Sequence, residues 1–400
     1  MPLTGALGSL SIDQLRKACR GPSWAPMLPH PTQNLCALRS MLEQAFDADG
    51  DGCLLASSEC IVVLVVDGVS LECAEACWTP SVSQVLTSTF PSTSSTALLS
   101  ATTGLMPADH GVIGVAFYDP VIDGVFDCYR DVATVARNGG DIEFAGDGVR
   151  LGPWPTVFST LSDRVDCVAH IGALATLPGR WSRMVVHGAR VVSPSVDWNE
   201  IRNDPKAMVD AVTTEIEATL SGRRSRPCLL WAHVNIDSAI HIRGYDFAVR
   251  DALSALADAA QRWASNGHTV ITHSDHGLVE THDSGRARAL LALLQNPTYC
   301  RVSSGGAGRV IWAYPRDGLA DELLERAREQ AYGFAVAKSR DELLRSGAVG
   351  ASQLARERIG EVVVIPTGSE FPLFESSYHF EHGAFSEAEM ITPLAICKGR

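Results

Sequence analysis

The run CIVVLVVDG at residues 60–68 decides the fold class. Its first seven residues are apolar and mostly β-branched, without the alternation of a half-exposed strand, which is typical of a parallel strand buried on both faces. The run stops at Asp67-Gly68. An acid at the carboxyl end of such a strand lies on the edge where open α/β sheets bind ligands. The stretch therefore predicts a buried parallel strand that ends in a functional carboxylate.

Other apolar runs continue this pattern along the chain. Strand-like segments occur at 165–171, 228–234 and 269–272, with helical patterns at 205–220 and 245–265 between or before them. The alternation of strand and helix predicts an α/β fold with a doubly wound, mostly parallel sheet flanked by helices. A short apolar run, Met184-Val185-Val186, is interpreted as a further strand.

Residues 285–370 differ in character from the rest, because glycine turns, charged helical patterns and short strands follow one another closely. We interpret this segment as a small inserted α+β subdomain. The expected organisation is an N-terminal extension at 1–58, a core at 59–284 and 371–400, and the inserted cap subdomain at 285–370. Residues 112–150 mix aromatic, acidic and glycine residues, and we expect them to form the roof of the pocket with 285–370.

The composition excludes several classes of protein. The 400 residues are 46% hydrophobic, so the chain can bury a large core, and 33 basic against 46 acidic residues give a net charge of −13. That charge disfavours binding to nucleic acid polymers or acidic membranes. The eleven cysteines are odd in number and contain no CxxC pair, as expected for reduced core residues of a cytoplasmic protein. No apolar run of about 18 residues occurs, so no membrane association is expected.

An acidic tip at residues 47–52 imitates the start of a calcium-binding loop. Asp47, Asp49 and Asp51 are followed by Gly52, but Ser58 stands at the twelfth position, where a bidentate glutamate is needed. A solvated turn is therefore favoured over a calcium site.

A cluster of hydroxyl side chains precedes a second helical pattern, in the stretch TSTFPSTSSTALLSATTGLMPADHG at 87–111. Pro91 suits the first turn of a helix, and Ser92 and Thr93 are of capping type. A helix N-terminus has unpaired N–H groups and a partial positive charge, so it attracts phosphate or sulfate and favours an alkoxide. The alternative is a capped core helix with an incidental polar start.

Acids at three strand ends and three histidines suggest a metal centre. Because mixed carboxylate and imidazole ligands suit zinc best, with manganese or iron as alternatives, we expect two divalent ions, with Zn²⁺ preferred. Two such ions would bind one phosphoryl oxygen between them and stabilise the leaving oxygen. The six residues are Asp67, Asp237, Asp275, His241, His276 and His382.

In their order along the chain, these pieces resemble the alkaline phosphatase superfamily, and within it the type I phosphodiesterase and nucleotide pyrophosphatase family. The matching segments are VVLVVDG at 62–68, TFPSTSSTALLSATTGLMPADHGVIG at 89–114, NIDSAIHIRG at 235–244, THSDHGLVE at 272–280 and HGAFSEAEMITPL at 382–394. The resemblance implies that Asp237, His241 and His382 hold one metal, while Asp67, Asp275 and His276 hold the other together with the nucleophile. The family nucleophile lies ten residues before the glycine of a TG pair. That glycine is Gly104 in this chain, so the resemblance implies that Ser94 is the nucleophile.

The resemblance implies a hydrolase of phosphodiester or pyrophosphate bonds in a nucleotide-like small molecule, through a phospho-seryl intermediate on Ser94. Thr93 and Ser95 remain rival nucleophiles. The backbone N–H of Ser95 is a candidate donor to a phosphoryl oxygen, and Arg243 and Arg130 are candidates for binding a second phosphate. A phosphomonoesterase or phosphonate hydrolase on the same site, a phosphomutase and a non-catalytic relative are the alternatives. The oligomeric state is left open.

Overall fold

A computed structural model describes residues 8–47, 60–78, 82–137, 140–172, 179–192, 195–222 and 224–398. The acidic tip considered for calcium lies outside the described residues, except for Asp47. No helix in the described ranges combines the length and the apolar composition needed to cross a bilayer.

The described strands form two large sheets and one small ribbon. In chain order they are β1 (Cys60–Val66), β2 (Gln84–Thr87), β3 (Ala116–Asp119), β4 (Gly124–Asp127), β5 (Val132–Arg137), β6 (Gly140–Ala145), β7 (Asp166–His170), β8 (Arg190–Val192), β9 (Cys228–Val234), β10 (Thr269–His273), β11 (Val279–Glu280), β12 (Gly305–Ala307), β13 (Val310–Ala313), β14 (Ala335–Ser339), β15 (Val362–Pro366), β16 (Phe380–Glu381) and β17 (Ile391–Cys397). The ribbon pairs β11 with β16.

The helices alternate with these strands. They are Ile12–Ala18, Ala37–Ala45, Leu71–Cys77, Ser94–Thr103, Pro107–His110, Val157–Leu161, Arg180–Val185, Trp198–Ile201, Pro205–Leu220, Asp237–Arg243, Phe247–Ser265, Gly285–Leu294, Ala320–Ala331, Arg340–Ser346, Gln353–Arg358 and Glu387–Met390.

The central sheet has seven strands in the order β2-β17-β10-β1-β9-β7-β8. Strands β10, β1, β9, β7 and β8 run parallel to one another, while β17 is antiparallel to both β10 and β2. The prediction of a mostly parallel sheet flanked by helices is therefore confirmed.

Strand β1 lies at the middle of this sheet and is buried along its whole length. Ile61, Val63 and Val65 pack into a core that contains residues of the helices Ala37–Ala45 and Ser94–Thr103. The alternate residues, among them Val62 and Leu64, pack into a second core with residues of Pro205–Leu220 and Phe247–Ser265. The continuous apolar run thus reflects helices on both faces of the sheet.

The second sheet joins two segments that are far apart in the chain. Its eight strands follow the order β14-β15-β13-β12-β3-β4-β5-β6, and its pairs are antiparallel. The halves meet where Gly306 of β12 pairs with Ala116 of β3. Strands from 116–145 and from 305–366 therefore form one layer, although the domain boundaries stated above stay a prediction.

Two local expectations were wrong. Met184 and Val185 do not form a strand, since they end the helix Arg180–Val185; Trp181 and Val185 are spaced four apart and are both buried on one side of it. The helix after the hydroxyl cluster begins at Ser94 rather than near Pro91, with Thr93 as its N-cap.

Candidate active site

The three acids of the sequence analysis follow neighbouring strands. Strands β10, β1 and β9 lie side by side in parallel, and Asp275, Asp67 and Asp237 come just beyond their carboxyl ends. The edge of the central sheet therefore brings three carboxylates to one place, as expected for an open α/β sheet.

Gly68 allows this close approach. Its φ is +79°, in the left-handed region that favours glycine, and a Cβ there would lie 2.8 Å from Asp237 Oδ1. A side chain at residue 68 would consequently displace a carboxylate of the site.

Ser94 lies over this edge at the first residue of its helix. Its Oγ donates to Asp67 Oδ1 at 3.1 Å and lies 3.1 Å from His276 Nε2. The neighbouring hydroxyls of Thr93 and Ser95 are buried and have no hydrogen-bond partner among the described residues. Of the three rival nucleophiles, only Ser94 has its hydroxyl in contact with a predicted metal ligand.

Asp237, His241 and His382 form a first group of potential ligands, with one atom of each within 4.8 Å of the others. His241 Nδ1 donates to the Phe380 carbonyl at 2.7 Å, and His382 Nδ1 donates to the Ser92 carbonyl at 2.9 Å. With Nδ1 held in this way, Nε2 is the ring nitrogen left for a ligand, and in His241 it lies 3.0 Å from Asp237 Oδ2. Backbone carbonyls that fix the tautomer in this way are typical of metal-binding histidines.

A second group lies beside the first and contains Asp67, Asp237 and His276. Asp275 belongs to the same corner, because its Oδ2 lies 3.5 Å from His276 Nε2. Its Oδ1 accepts from the N–H groups of Gly68 and His276 at 3.2 and 3.0 Å, whereas its Oδ2 has no hydrogen-bond partner in the described part of the chain. Asp237 is shared by both groups, so the two sets of ligands are adjacent.

The electrostatics of the site favour bound cations. Burial, together with the charge of Asp67, raises the pKa of Asp275 to about 7. Burial alone would lower the pKa of His241, but the carboxylates of Asp237 and Glu381 raise it to about 10. Burial and the neighbouring His276 lower the pKa of His382 well below its ordinary value. Crowded carboxylates with unpaired oxygens, such as Asp237 Oδ1, beside imidazole nitrogens are the donors that zinc, manganese or iron accept.

These groups open into a cavity of about 540 Å³. Among the residues that line it are Asp67, Ser94 and Asp237 on the sheet side. Tyr129 and Gly308, from the two segments that build the second sheet, also line it. Residues from 112–150 and 285–370 thus reach the cavity from the second sheet, as expected for a roof.

The remaining predicted residues differ in position. Arg130 lines the cavity, but its guanidinium donates to Glu143 Oε1 at 2.7 Å. Arg243 pairs with Asp246 at 2.7 Å and is not among the cavity residues described. The N–H of Ser95 belongs to the first turn of its helix, where backbone donors have no partner within the helix.

Sequence reasoning missed several residues of the cavity. His233 is 1% exposed and places Nε2 2.9 Å from Asp67 Oδ2. Tyr378 stacks on His241 with ring centroids 4.1 Å apart. Trp198 and Arg202 line the cavity from the short helix after β8. His233 lies inside an apolar strand pattern and the other three lie in loop-like stretches, so local sequence carries no sign of their role.

A family model described as type I phosphodiesterase / nucleotide pyrophosphatase matches residues 62–383. No curated protein matches the sequence. Inactive murine ectonucleotide pyrophosphatase / phosphodiesterase 5 in complex with AMP has a similar structure, with a TM-score of 0.57 and 16% identity over 85% of this chain and 88% of that one.

Phosphonoacetate hydrolase from Sinorhizobium meliloti 1021 in complex with phosphonoformate gives a TM-score of 0.57 and 16% identity over 86% and 91% of the two chains. Wild-type alkaline phosphatase PafA gives 0.56 and 13% over 85% and 91%. At these identities the similarity concerns the fold.

Proposed function

Because the chain belongs to the type I phosphodiesterase / nucleotide pyrophosphatase family, we propose that it hydrolyses a phosphodiester or pyrophosphate bond in a nucleotide-like small molecule through a covalent intermediate on Ser94. The observation that carries this proposal is the placement of the Ser94 hydroxyl between Asp67 and His276 at the sheet edge. A hydroxyl held there, at a helix N-terminus and beside ionisable partners, is suited to nucleophilic attack.

In the proposed reaction Ser94 Oγ attacks phosphorus in line. The bond between phosphorus and the leaving-group oxygen breaks, and the proton of Ser94 passes by way of Asp67 Oδ1, its acceptor at 3.1 Å, to the departing oxygen. Water then attacks the phospho-seryl group, the phosphorus–Oγ bond breaks, and a proton of that water restores the Ser94 hydroxyl. First-turn N–H groups, including that of Ser95, are the proposed donors to the phosphoryl oxygens.

Two divalent ions, preferably zinc, are the proposed cofactors. Asp237, His241 and His382 would hold one, and Asp67, Asp275, His276 and Ser94 the other. When bound, such ions supply Lewis-acid stabilisation of the charge that develops on the phosphoryl group and the leaving oxygen. The buried Asp237 Oδ1 and Asp275 Oδ2, which lack hydrogen-bond partners among the described residues, support this assignment.

The setting of the enzyme is also a proposal. The cysteines of the described ranges are unpaired, and all but Cys36 are buried, which supports a reducing compartment such as the cytoplasm. The net charge of −13 supports a small phosphorylated substrate rather than a nucleic acid polymer.

A second candidate is hydrolysis of a phosphonate or phosphomonoester on the same site, favoured by the structural similarity to phosphonoacetate hydrolase and PafA. Turnover of bis-p-nitrophenyl phosphate against p-nitrophenyl phosphate by the zinc-loaded protein separates the two. We expect the diester to be preferred, and a monoester preference of about tenfold or more would overturn the choice. A phosphomutase would release no phosphate that carries oxygen-18 from labelled water.

Ser94→Ala tests the nucleophile. The variant should lose turnover by at least about a thousandfold, because no covalent intermediate can form, while it keeps most of its zinc. Thr93→Val and Ser95→Ala are the matched controls and should keep turnover within about threefold, since neither hydroxyl contacts a predicted ligand in the described structure. Normal turnover by Ser94→Ala would instead indicate that Thr93 or Ser95 is the nucleophile.

A further inference from the structure

Two residues of one short helical stretch line the cavity and carry hydrogen-bond donor groups. Trp198 begins the helix Trp198–Ile201, and Arg202, its C-cap, keeps right-handed helical backbone angles. Residues four apart in such a conformation lie on one face. Both residues line the cavity that contains Ser94. Trp198 and Arg202 therefore border the cavity from one short helical stretch.

Neither donor is used within the described structure. Trp198 is 1% exposed, and its Nε1 is buried without a hydrogen-bond partner in the described ranges. Arg202 is exposed and has no carboxylate oxygen within 4.0 Å among the described residues. Arg130 also lines the cavity, but Glu143 already neutralises it. Indole and guanidinium groups donate hydrogen bonds but do not accept them, so a ligand that pairs with them must supply acceptor atoms.

Arg202 lines the same cavity as Tyr378. Burial raises the pKa of Tyr378 to about 12, and the charge of Arg202 opposes that rise. Tyr378 in turn stacks on His241, which belongs to the first ligand group. Arg202 and the first ligand group therefore border one cavity, the space in which the proposed function places the phosphoryl group.

We propose that Arg202, with Trp198 beside it, forms a subsite for a second anionic group of the substrate. The inference rests on the proposed function, because it assigns the first anionic group to the Ser94 centre. It narrows the substrate class to small molecules in which an oxyanion, a phosphate or a carboxylate, lies a few bonds from the scissile phosphorus. A guanidinium pairs with either group through two parallel hydrogen bonds.

Equilibrium binding separates this subsite from catalysis. Calorimetry on zinc-loaded protein would compare methylphosphonate, which has one anionic group, with methylenediphosphonate and phosphonoacetate, which add a phosphonate or a carboxylate. We expect a doubly anionic ligand to bind at least about tenfold tighter, and Arg202→Gln to reduce that advantage to about threefold or less. The tighter of the two doubly anionic ligands identifies the second group.

Arg262→Gln is the matched control, since Arg262 is exposed on the helix Phe247–Ser265 and its ion-pair partner Glu217 is 3.6 Å away, outside the cavity. It should leave all three affinities unchanged, and Arg202→Lys should restore part of the advantage. Trp198→Phe keeps the ring and removes Nε1–H, so a selective loss for the doubly anionic ligands is expected. An advantage that survives Arg202→Gln within about twofold would overturn the subsite. Failure of the proposed function would appear elsewhere, as a zinc-loaded wild type that turns over no phosphoester.

Discussion

His233 Nε2 lies 2.9 Å from Asp67 Oδ2, and both side chains are buried. With Oδ2 held by this contact, Asp67 Oδ1 faces Ser94 and His276. An imidazole that holds one oxygen of a carboxylate fixes the direction of the other, so His233 is a positioning residue for the second group of ligands.

His233→Phe should therefore weaken zinc binding by about ten- to a hundredfold, because Asp67 would lose the partner that orients it. Competition with a chelator of known affinity measures this directly. His110→Phe is the control, since His110 is equally buried but bonds to Ser100 Oγ at 3.0 Å, away from the ligands. Unchanged zinc affinity in a folded His233→Phe protein would contradict the positioning role.

Removal of the metal should destabilise the fold as well as abolish turnover. Without cations, the buried carboxylates of Asp67, Asp237 and Asp275 repel one another, and a ligand that binds only the folded state stabilises it by mass action. We expect the thermal midpoint of the chelator-treated protein to fall by about 5 °C or more and to return when zinc is added. Metal analysis that finds less than about one ion per untreated chain would refute the two-metal site.

The ion pair between Arg358 and Asp119 should matter more for stability than any exposed pair. Arg358 Nη2 lies 2.7 Å from Asp119 Oδ2, and Nη1 donates to the Gly111 carbonyl, so the pair ties the helix Gln353–Arg358 to β3 and to the residue that follows the helix Pro107–His110. Asp119→Asn would leave a buried guanidinium without its counter-charge and should cost about 3–5 kcal/mol of the unfolding free energy.

Urea unfolding at neutral pH checks this cost. Glu322→Gln, which breaks the half-exposed pair with Arg326, is the control and should cost about 1 kcal/mol or less. Equal losses in the two variants would contradict the importance of the buried pair.

Glu215 should contribute a pH-dependent part of the stability. Burial alone would raise its pKa, but His170 and Ser195 bond to it and hold the pKa below the ordinary 4.5. The folded pKa is thus below the unfolded one, so this contribution is complete above about pH 4.5 and is lost as the pH falls through the folded value. The unfolding free energy of Glu215→Gln should decline less steeply than that of wild type between about pH 5 and pH 3. Parallel declines in urea midpoints across that range would exclude the contribution.

The sequence predicted the elements whose determinants are local. The helix Pro205–Leu220 has its predicted bounds, because Asp204 caps it through the N–H groups of Lys206 and Ala207 and Pro205 suits its first position. The sequence also predicts one shared location for three carboxylates, those of Asp67, Asp237 and Asp275. Long apolar runs identify buried parallel strands, and the carboxyl ends of such strands share one edge of the sheet.

The features that the sequence did not predict depend on pairing between distant segments. The role of His233 follows from the register of β9 on β1, which sets Val65 opposite His233 and so brings the imidazole beside Asp67. The second sheet depends on the contact of Gly306 with Ala116. Short strands of this kind carry no local pattern that names a partner almost two hundred residues away.

The position of β17 determines when, during synthesis of the chain, the central sheet can be completed. This strand fills the gap between β2 and β10, and the segment before it carries His382. A ribosome that adds about 5–20 residues per second needs roughly 15–60 s to travel from Asp67 to His382. While the chain between β10 and β17 is being made, β2 and β10 lack the neighbour that they share, and the proposed nucleophile Ser94 lacks the predicted ligand His382. We therefore expect a nascent chain to be inactive in hydrolysis until β17, the last strand of the central sheet, has been synthesised.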